Sequence, residues 1–235
     1  VSGRAGILNG LLVAIGLAIG GYFIGDGFVS ARALERSVEV KGLAERDVMA
    51  DTAIWPMQIM VAGNELEPLF IAIEKQGAQV QTFLRENGFI EDEISVSAPS
   101  VVDRLARDYS DPNTRFRYSV TQVITVFTSK IETVRNAGQE LAALGKAGIV
   151  LNQNDYNFQT QYLFNGLNDL KPAMIEEATR NAREVAAKFA EDSASRLGRI
   201  RNANQGQFQI SDRDSNNPHI KKVRVVSTIS YYLVD

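Results

Sequence analysis

The 235-residue chain contains no cysteine and a single histidine. The first absence removes disulfides, thiolate nucleophiles and cysteine-based metal sites together, and it is compatible with either a reducing or an oxidising compartment. The second leaves His219 as the only base a Ser-His-Asp triad could use, and would force a zinc site to rely mainly on carboxylates. His219 stands in the polar run Ser215-Asn216-Asn217-Pro218-His219, where an exposed loop histidine is expected. Phosphate-cradling glycine patterns are missing as well. Gly42, Gly63 and Gly88 are isolated, and no Gly-x-Gly-x-x-Gly or Gly-x-x-x-x-Gly-Lys run joins a strand to a helix. With 25 Lys and Arg against 28 Asp and Glu, the net charge is −3. There is thus no basic field to recruit nucleic acid and no acidic tail to enforce disorder. These patterns assign no catalytic, cofactor-binding or metal-ligating residue.

What the chain does have begins at Ile7 to Ile24, eighteen positions without a formal charge. A run of that length is at the lower edge of what a helix needs to cross about 30 Å of hydrocarbon. Tyr22, Phe23 and Phe28 suit the interface beyond it. The expected organisation is an uncleaved signal anchor over residues 1–30, a linker over 31–37 and a main domain over 38–235. Ala31-Arg32-Ala33 has the small-x-small form of a signal-peptidase site. The run, however, exceeds the 7 to 15 or so residues usual for a removable signal, and the tripeptide lies several residues beyond it. Arg4 lies on one side, and Arg32, Arg36 and Lys41 on the other, so basic residues alone put the domain in the cytoplasm. A short N-terminal tail and the ease with which long domains translocate argue for export. Charge alone leaves both orientations open. Gly6 and Gly10, Gly16 and Gly20, and Gly21 and Gly25 have the small-xxx-small spacing that lets membrane helices approach closely. Gly16, Gly20, Gly21 and Gly25 are the expected helix-packing positions, secondary to assembly through the main domain.

Beyond the linker, Val38, Val40, Gly42 and Ala44 alternate with Glu39, Lys41, Leu43 and Glu45 as in a half-buried strand. Ala53, Trp55, Met57, Ile59 and Val61 define a second strand, in which Pro56 implies an edge or a bulge. Leu66, Leu69, Phe70, Ile73, Gly77, Val80 and Leu84 fall at helical spacing, with Asn64 as expected cap and Gly88 as stop. A short strand over residues 94–98 and a polar loop over 103–115 follow. The pattern then recurs: a strand over 116–128, a capping-box form at Ser129-Lys130-Ile131-Glu132 and a helix ending near Gly145 or Gly148. Next come a strand over 156–164 and a long Ala-rich helix, capped by Asn168-Asp169 and ended by Gly198. Its expected inner face is Ile175, Ala178, Ala182, Val185, Ala186, Phe189 and Leu197. Short and long strands over 208–210 and 223–234 close the chain. Strand-strand-helix units of this kind predict an α+β domain, a largely antiparallel sheet covered by helices.

Three segments resemble the SIMPL domain family of bacterial periplasmic immunogenic or outer-membrane antigen proteins. Val38-Glu39-Val40-Lys41-Gly42-Leu43-Ala44-Glu45 resembles its opening strand, with Ala44 in place of a second glycine. The strand from Tyr118 to Val126 is similar to its central strand. The Ala-rich helix running into Leu197-Gly198-Arg199-Ile200 matches the family's helix terminus. The resemblance implies an envelope protein exported to the periplasm, forming ring-like homo-oligomers, with a proposed role in stress defence and no established enzymatic activity. Together with the uncharged run from Ile7 to Ile24, this gives an expected inner-membrane, single-pass location with membrane lipid as a partner of the anchor; the resemblance transfers no catalytic residues.

Glu91-Asp92-Glu93 has the oxygen chemistry of a divalent-cation site but not the spacing, and a solvated acidic turn is expected. Asp103, Arg104, Arg107 and Asp108 are candidates for ion pairs across a subunit boundary. Two function classes follow. One is a non-enzymatic oligomeric envelope protein. The other is a periplasmic ligand-binding module or hydrolase whose site gathers dispersed carboxylates with Tyr or Arg, and a deep pocket with converging ionisable groups favours it.

Overall fold

The computed structural model describes residues 14–27, 36–106, 115–152 and 155–234. Helix α1 covers 14–27. It is followed by β1 (Ser37–Met49), β2 (Thr52–Gly63), α2 (Leu66–Glu86), β3 (Ile94–Val96), β4 (Ser100–Asp103), β5 (Tyr118–Thr128), α3 (Ile131–Glu140) and α4 (Ala142–Lys146). Then come β6 (Gln161–Leu163), α5 (Leu167–Asp192), β7 (Arg196–Gln205), β8 (Gln209–Asp212) and β9 (Ile220–Val234). The class is α+β with antiparallel strand pairs, but two sheets stand where one is expected. One has the order β1-β9-β7 with β8 also on β9; the other has β3-β5-β2-β6 with β4 also on β5. Consecutive strands β1 and β2 therefore belong to different sheets. Alternation tells which face of a strand is apolar, not which strand will pair with it.

The described residues fall into two compact units. The first lies within Val1–Arg46, Leu170–Gln209 and Arg224–Asp235, and the second within Asp47–Asp169 and Ile210–Val223.

In the first unit, Val40, Gly42 and Ala44 of β1 are buried on one face, as their alternation predicts. The backbone of α5 comes so close to β1 that a Cβ at Gly42 would lie 1.8 Å from the Ala178 carbonyl oxygen and 2.6 Å from the Ala182 nitrogen. Contact that tight selects the smallest side chains. The buried stripe of α5 is Met174, Ala178, Ala182, Ala186 and Ala190, at steps of four. The expected inner residues Val185 and Phe189 are instead 41% and 54% exposed. Leu197 and Gly198 lie in β7, a strand absent from the sequence reading. The helix ends earlier, with Ala194 at φ 52°, while the N–H groups of Ala194 and Ser195 reach the carbonyls of Glu191 and Ala190. This is a Schellman closure without glycine. Ala44 needs no positive φ, so alanine serves there as well as glycine. Along β9, the Leu233 N–H bonds the Arg36 carbonyl, Ser230 bonds Glu39, and Arg224 pairs with Glu45. Position falls on β9 as it rises on β1, so the pair is antiparallel.

In the second unit, β2 and β5 pair without a break from Ala53↔Thr128 to Gly63↔Tyr118. Trp55, Met57 and Ile59 of β2 and Val120, Ile124 and Val126 of β5 are buried with Leu69, Ile73, Val80 and Leu84 of α2 in one core. All three expected caps are corrected: Asn168 and Asp169 lie inside the first turn of α5, which opens at Leu167. Asn64 spends its Oδ1 on the Arg117 N–H, leaving Glu65 as an N-cap without a side-chain bond. The helix at Ile131 starts from Lys130, whose N–H goes to Thr128 Oγ1, while Glu132 pairs with Arg135. Gly88 does stop α2: at φ 88° it bonds the Arg85 carbonyl, and Phe89 N–H reaches Leu84. The strand expected over 156–164 is a 3-10 turn at Tyr156–Phe158 followed by the short β6. The junction before β2 is fixed by Asp51. Its carboxylate accepts the backbone N–H groups of Asn165 at 2.6 Å and Gly166 at 3.0 Å, along with the Asn165 amide and the Thr52 hydroxyl.

Among the described residues no helix is long and apolar enough to cross a membrane. Residues 7–13 of the expected span, with Arg4, Gly6 and Gly10, lie outside the described residues, as do Phe28 and Ala31-Arg32-Ala33. On α1, a Cβ at Gly16, Gly20, Gly21 or Gly25 would meet nothing within 4 Å, so these glycines have no packing partner among the described residues.

Two outcomes test this account. Gly42→Ala should destabilise the first unit by about 3 kcal/mol or more, because backbone rather than a movable side chain blocks the added methyl; chemical denaturation of the full chain measures it. Burial alone would raise the Asp51 carboxyl, but the hydrogen bonds from Asn165, Thr52 and Gly166 together outweigh it and hold the pKa below its ordinary value. The stability this contributes is present above the ordinary carboxylate range and is lost as pH falls through the lowered folded value. Asp51→Ala should therefore cost about 2–3 kcal/mol near pH 7, and urea curves of the two proteins should converge in acid.

Candidate functional site

The second unit contains a cleft of about 540 Å³, within the range of small-ligand sites. It forms where β2 lacks a continuous neighbour on the side opposite β5. There β6 pairs only with Thr52 to Ile54, and the next contact is an isolated bridge between Ile59 and Leu151. Pro56 lies in the gap and lines the cleft. Having no N–H, it leaves no orphan donor on this open edge. The edge position implied by the proline is thus local, in a strand that is otherwise internal. Asn152 closes one end: its N–H bonds the Gln58 carbonyl at 3.0 Å and its Nδ2 bonds Gln58 Oε1 at 2.8 Å.

His219 lies in this cleft, not in an exposed loop. It is 6% exposed, because the turn preceding β9 is tied down by the Ala50 N–H, which donates to the His219 carbonyl at 2.8 Å. Its ring meets Tyr162 edge-on with 6.0 Å between centroids. Among the described residues neither ring nitrogen has a hydrogen-bond partner. Burial holds the imidazole below its ordinary pKa, and the Arg135 guanidinium pushes it the same way, against Glu132. The ring is therefore neutral near pH 7. Burial pushes the Tyr162 phenol up, so its hydroxyl stays protonated. Arg135 pairs with Glu132 through one terminal nitrogen, Nη1, at 2.9 and 2.8 Å. Arg135 and His219 could have been found in the sequence only as residues of two segments more than eighty positions apart. Nothing in either segment signals the meeting; Pro56 in a strong strand was the one local hint of an open edge.

The other candidate residues are placed elsewhere. Of the acidic turn, Glu93 is not solvated. Its side chain is 15% exposed and accepts Thr128 Oγ1 at 2.6 Å, Lys130 Nζ at 2.9 Å and the Ile90 N–H at 3.0 Å. Asp103 is satisfied within the chain by Arg117, which donates from Nε and Nη2, while Arg107 and Asp108 lie outside the described residues. No group of three or more acidic or histidine side chains able to hold a metal occurs among the described residues.

No curated protein matches the chain. The model of one family, SIMPL, described as a protein of unknown function (DUF541), matches residues 38–227. That span takes in both units, from the first residues of β1 to the middle of β9, and the chain belongs to the SIMPL family.

Proposed function

We propose that this protein is a non-enzymatic envelope protein with a role in stress defence, anchored to the inner membrane by its N-terminal segment and assembled as a homo-oligomer with its main domain in the periplasm. The observation that carries the anchor is the uncharged run from Ile7 to Ile24. The helical part of it within the described residues presents Leu17, Tyr22, Phe23 and Ile24 at about 70% exposure or more, an arrangement that water does not favour and lipid does. Assembly is supported by β7, which stands at the end of its sheet path with residues 199–205 exposed. An unpaired strand edge is a template for a second copy, and closure into a ring leaves none bare.

A second reading, a periplasmic ligand-binding module or hydrolase, has one observation in its favour, the cleft at His219. The geometry supports binding rather than hydrolysis. Among the described residues no carboxylate orients the imidazole and no hydroxyl is hydrogen-bonded to it, so the nucleophile-base-orienter chain of a hydrolase is not assembled.

Two measurements test the first reading. Protease added to spheroplasts should digest the main domain and spare a short anchor fragment; protection until the inner membrane is opened would reverse the topology. The full chain in mild detergent should give a discrete multiple of the monomer mass in light scattering, stable on dilution. A monomer at every micromolar concentration would reject assembly.

A further inference from the structure

The cleft between Trp55 and His219 has the properties of a built site, and its lining defines a ligand class. Its lining is mixed: Trp55, Met57, Leu151 and Phe158 supply apolar surface, and Gln139, Asn152, Gln159, Thr160 and Asn216 supply polar surface. Among the described lining residues there is one cation, Arg135, and no carboxylate. Arg135 uses Nη1 for Glu132, which leaves Nε and Nη2 without a partner among the described residues. His219 is more than nine-tenths buried, lines the cleft and has no hydrogen-bond partner among the described residues. Neither ring nitrogen is among the sealed polar atoms that lack a partner, so the ring is open to the cleft and to an acceptor entering it. A guanidinium edge and an imidazole N–H together suit one acceptor group with negative charge, and the apolar part of the lining suits a small hydrocarbon or aromatic body attached to it.

We infer that this cleft binds a small organic carboxylate, its charged end held by Arg135 and His219 and its apolar body lying against Trp55 and Met57. The inference rests on the ligand-binding reading above and adds the chemical class. Neutral imidazole donates one hydrogen bond, whereas an imidazolium beside a bound carboxylate gains charge as well, so binding takes up a proton. Groups facing the ring are Tyr162 from β6, Arg135 and Glu132 from α3, and Arg213 and Asp214 from the turn before β9.

Trp55 is the only tryptophan in the chain, so its emission reports on this cleft alone. The full chain in mild detergent is titrated with phenylacetate, its neutral analogue phenylacetamide and the cation phenethylamine. Expected is a saturable change with phenylacetate in the range of about 10 μM to 1 mM, at least about tenfold tighter than with phenylacetamide, and none with phenethylamine. Arg135→Gln should weaken phenylacetate binding by about tenfold or more. In the unsubstituted protein, affinity should rise several-fold from about pH 8 to about pH 6. That pH dependence should vanish in His219→Gln, with thermal melts of both variants establishing that they remain folded. Equal binding of phenylacetate and phenylacetamide would overturn the carboxylate class while leaving a ligand-binding cleft. No saturable response to any of the three would overturn both. Unchanged affinity in folded Arg135→Gln would remove the anion site.

Discussion

The unbroken antiparallel register of β2 on β5 is the constraint on which the second unit depends. Eleven consecutive residue pairs, from Ala53↔Thr128 to Gly63↔Tyr118, place Trp55, Met57 and Ile59 on the same face as Val126, Ile124 and Gln122. A shift of one residue would turn all of them outward. That face is what α2 covers with Leu69, Ile73, Val80 and Leu84. Short strands β3 and β4 dock along β5, and β6 docks on the first residues of β2. Since β6 and the Leu151 bridge leave part of β2 uncovered, the same ladder that builds the core also exposes the floor of the cleft.

The first unit is governed by a different limit, the distance of closest approach between a helix and a strand. Gly42 on β1 and the alanine stripe of α5 let backbone meet backbone. The apolar area gained per residue is small, but packing is dense and a single methyl is too many. Such a contact ranks positions by size before hydrophobicity. Alanines therefore occupy the buried stripe, while Val185 and Phe189 lie exposed.

Electrostatics at the cleft follow from which groups share it. Arg135 arrives on α3 already balanced by Glu132, and His219 arrives from the turn before β9 without a carboxylate hydrogen-bonded to its ring among the described residues. An imidazole with a hydrogen-bonded carboxylate would be oriented and more basic, ready for proton transfer. This one is desolvated, neutral and open to whatever enters. That combination suits the binding role inferred for the cleft. It also separates His219 from the rest of the ionic inventory: Asp51, Glu93 and Asp103 are each saturated by donors of their own chain and hold the fold together.

By itself the sequence determined which residues are apolar on one side. The alternation of β1 and β2, the existence of β5 and β9, the Leu69, Ile73, Gly77, Val80 and Leu84 face of α2, the glycine that ends α2 and the family motifs were legible, because periods of two and 3.6 and the φ freedom of glycine act locally. Leu66 and Phe70, at the same spacing, lie exposed. Tertiary structure decided the rest. The separation into two sheets, the exposed β7, the stop at Ala194 and the turning of α5 onto its alanines depend on partners far away in the chain. So does the burial of His219: a polar run such as Ser215 to His219 carries no local mark of being buried, and only the contact of that turn with Ala50 and Tyr162 encloses the ring. Local chemistry fixes the conformation a segment prefers, whereas its environment is set by what long-range packing brings against it.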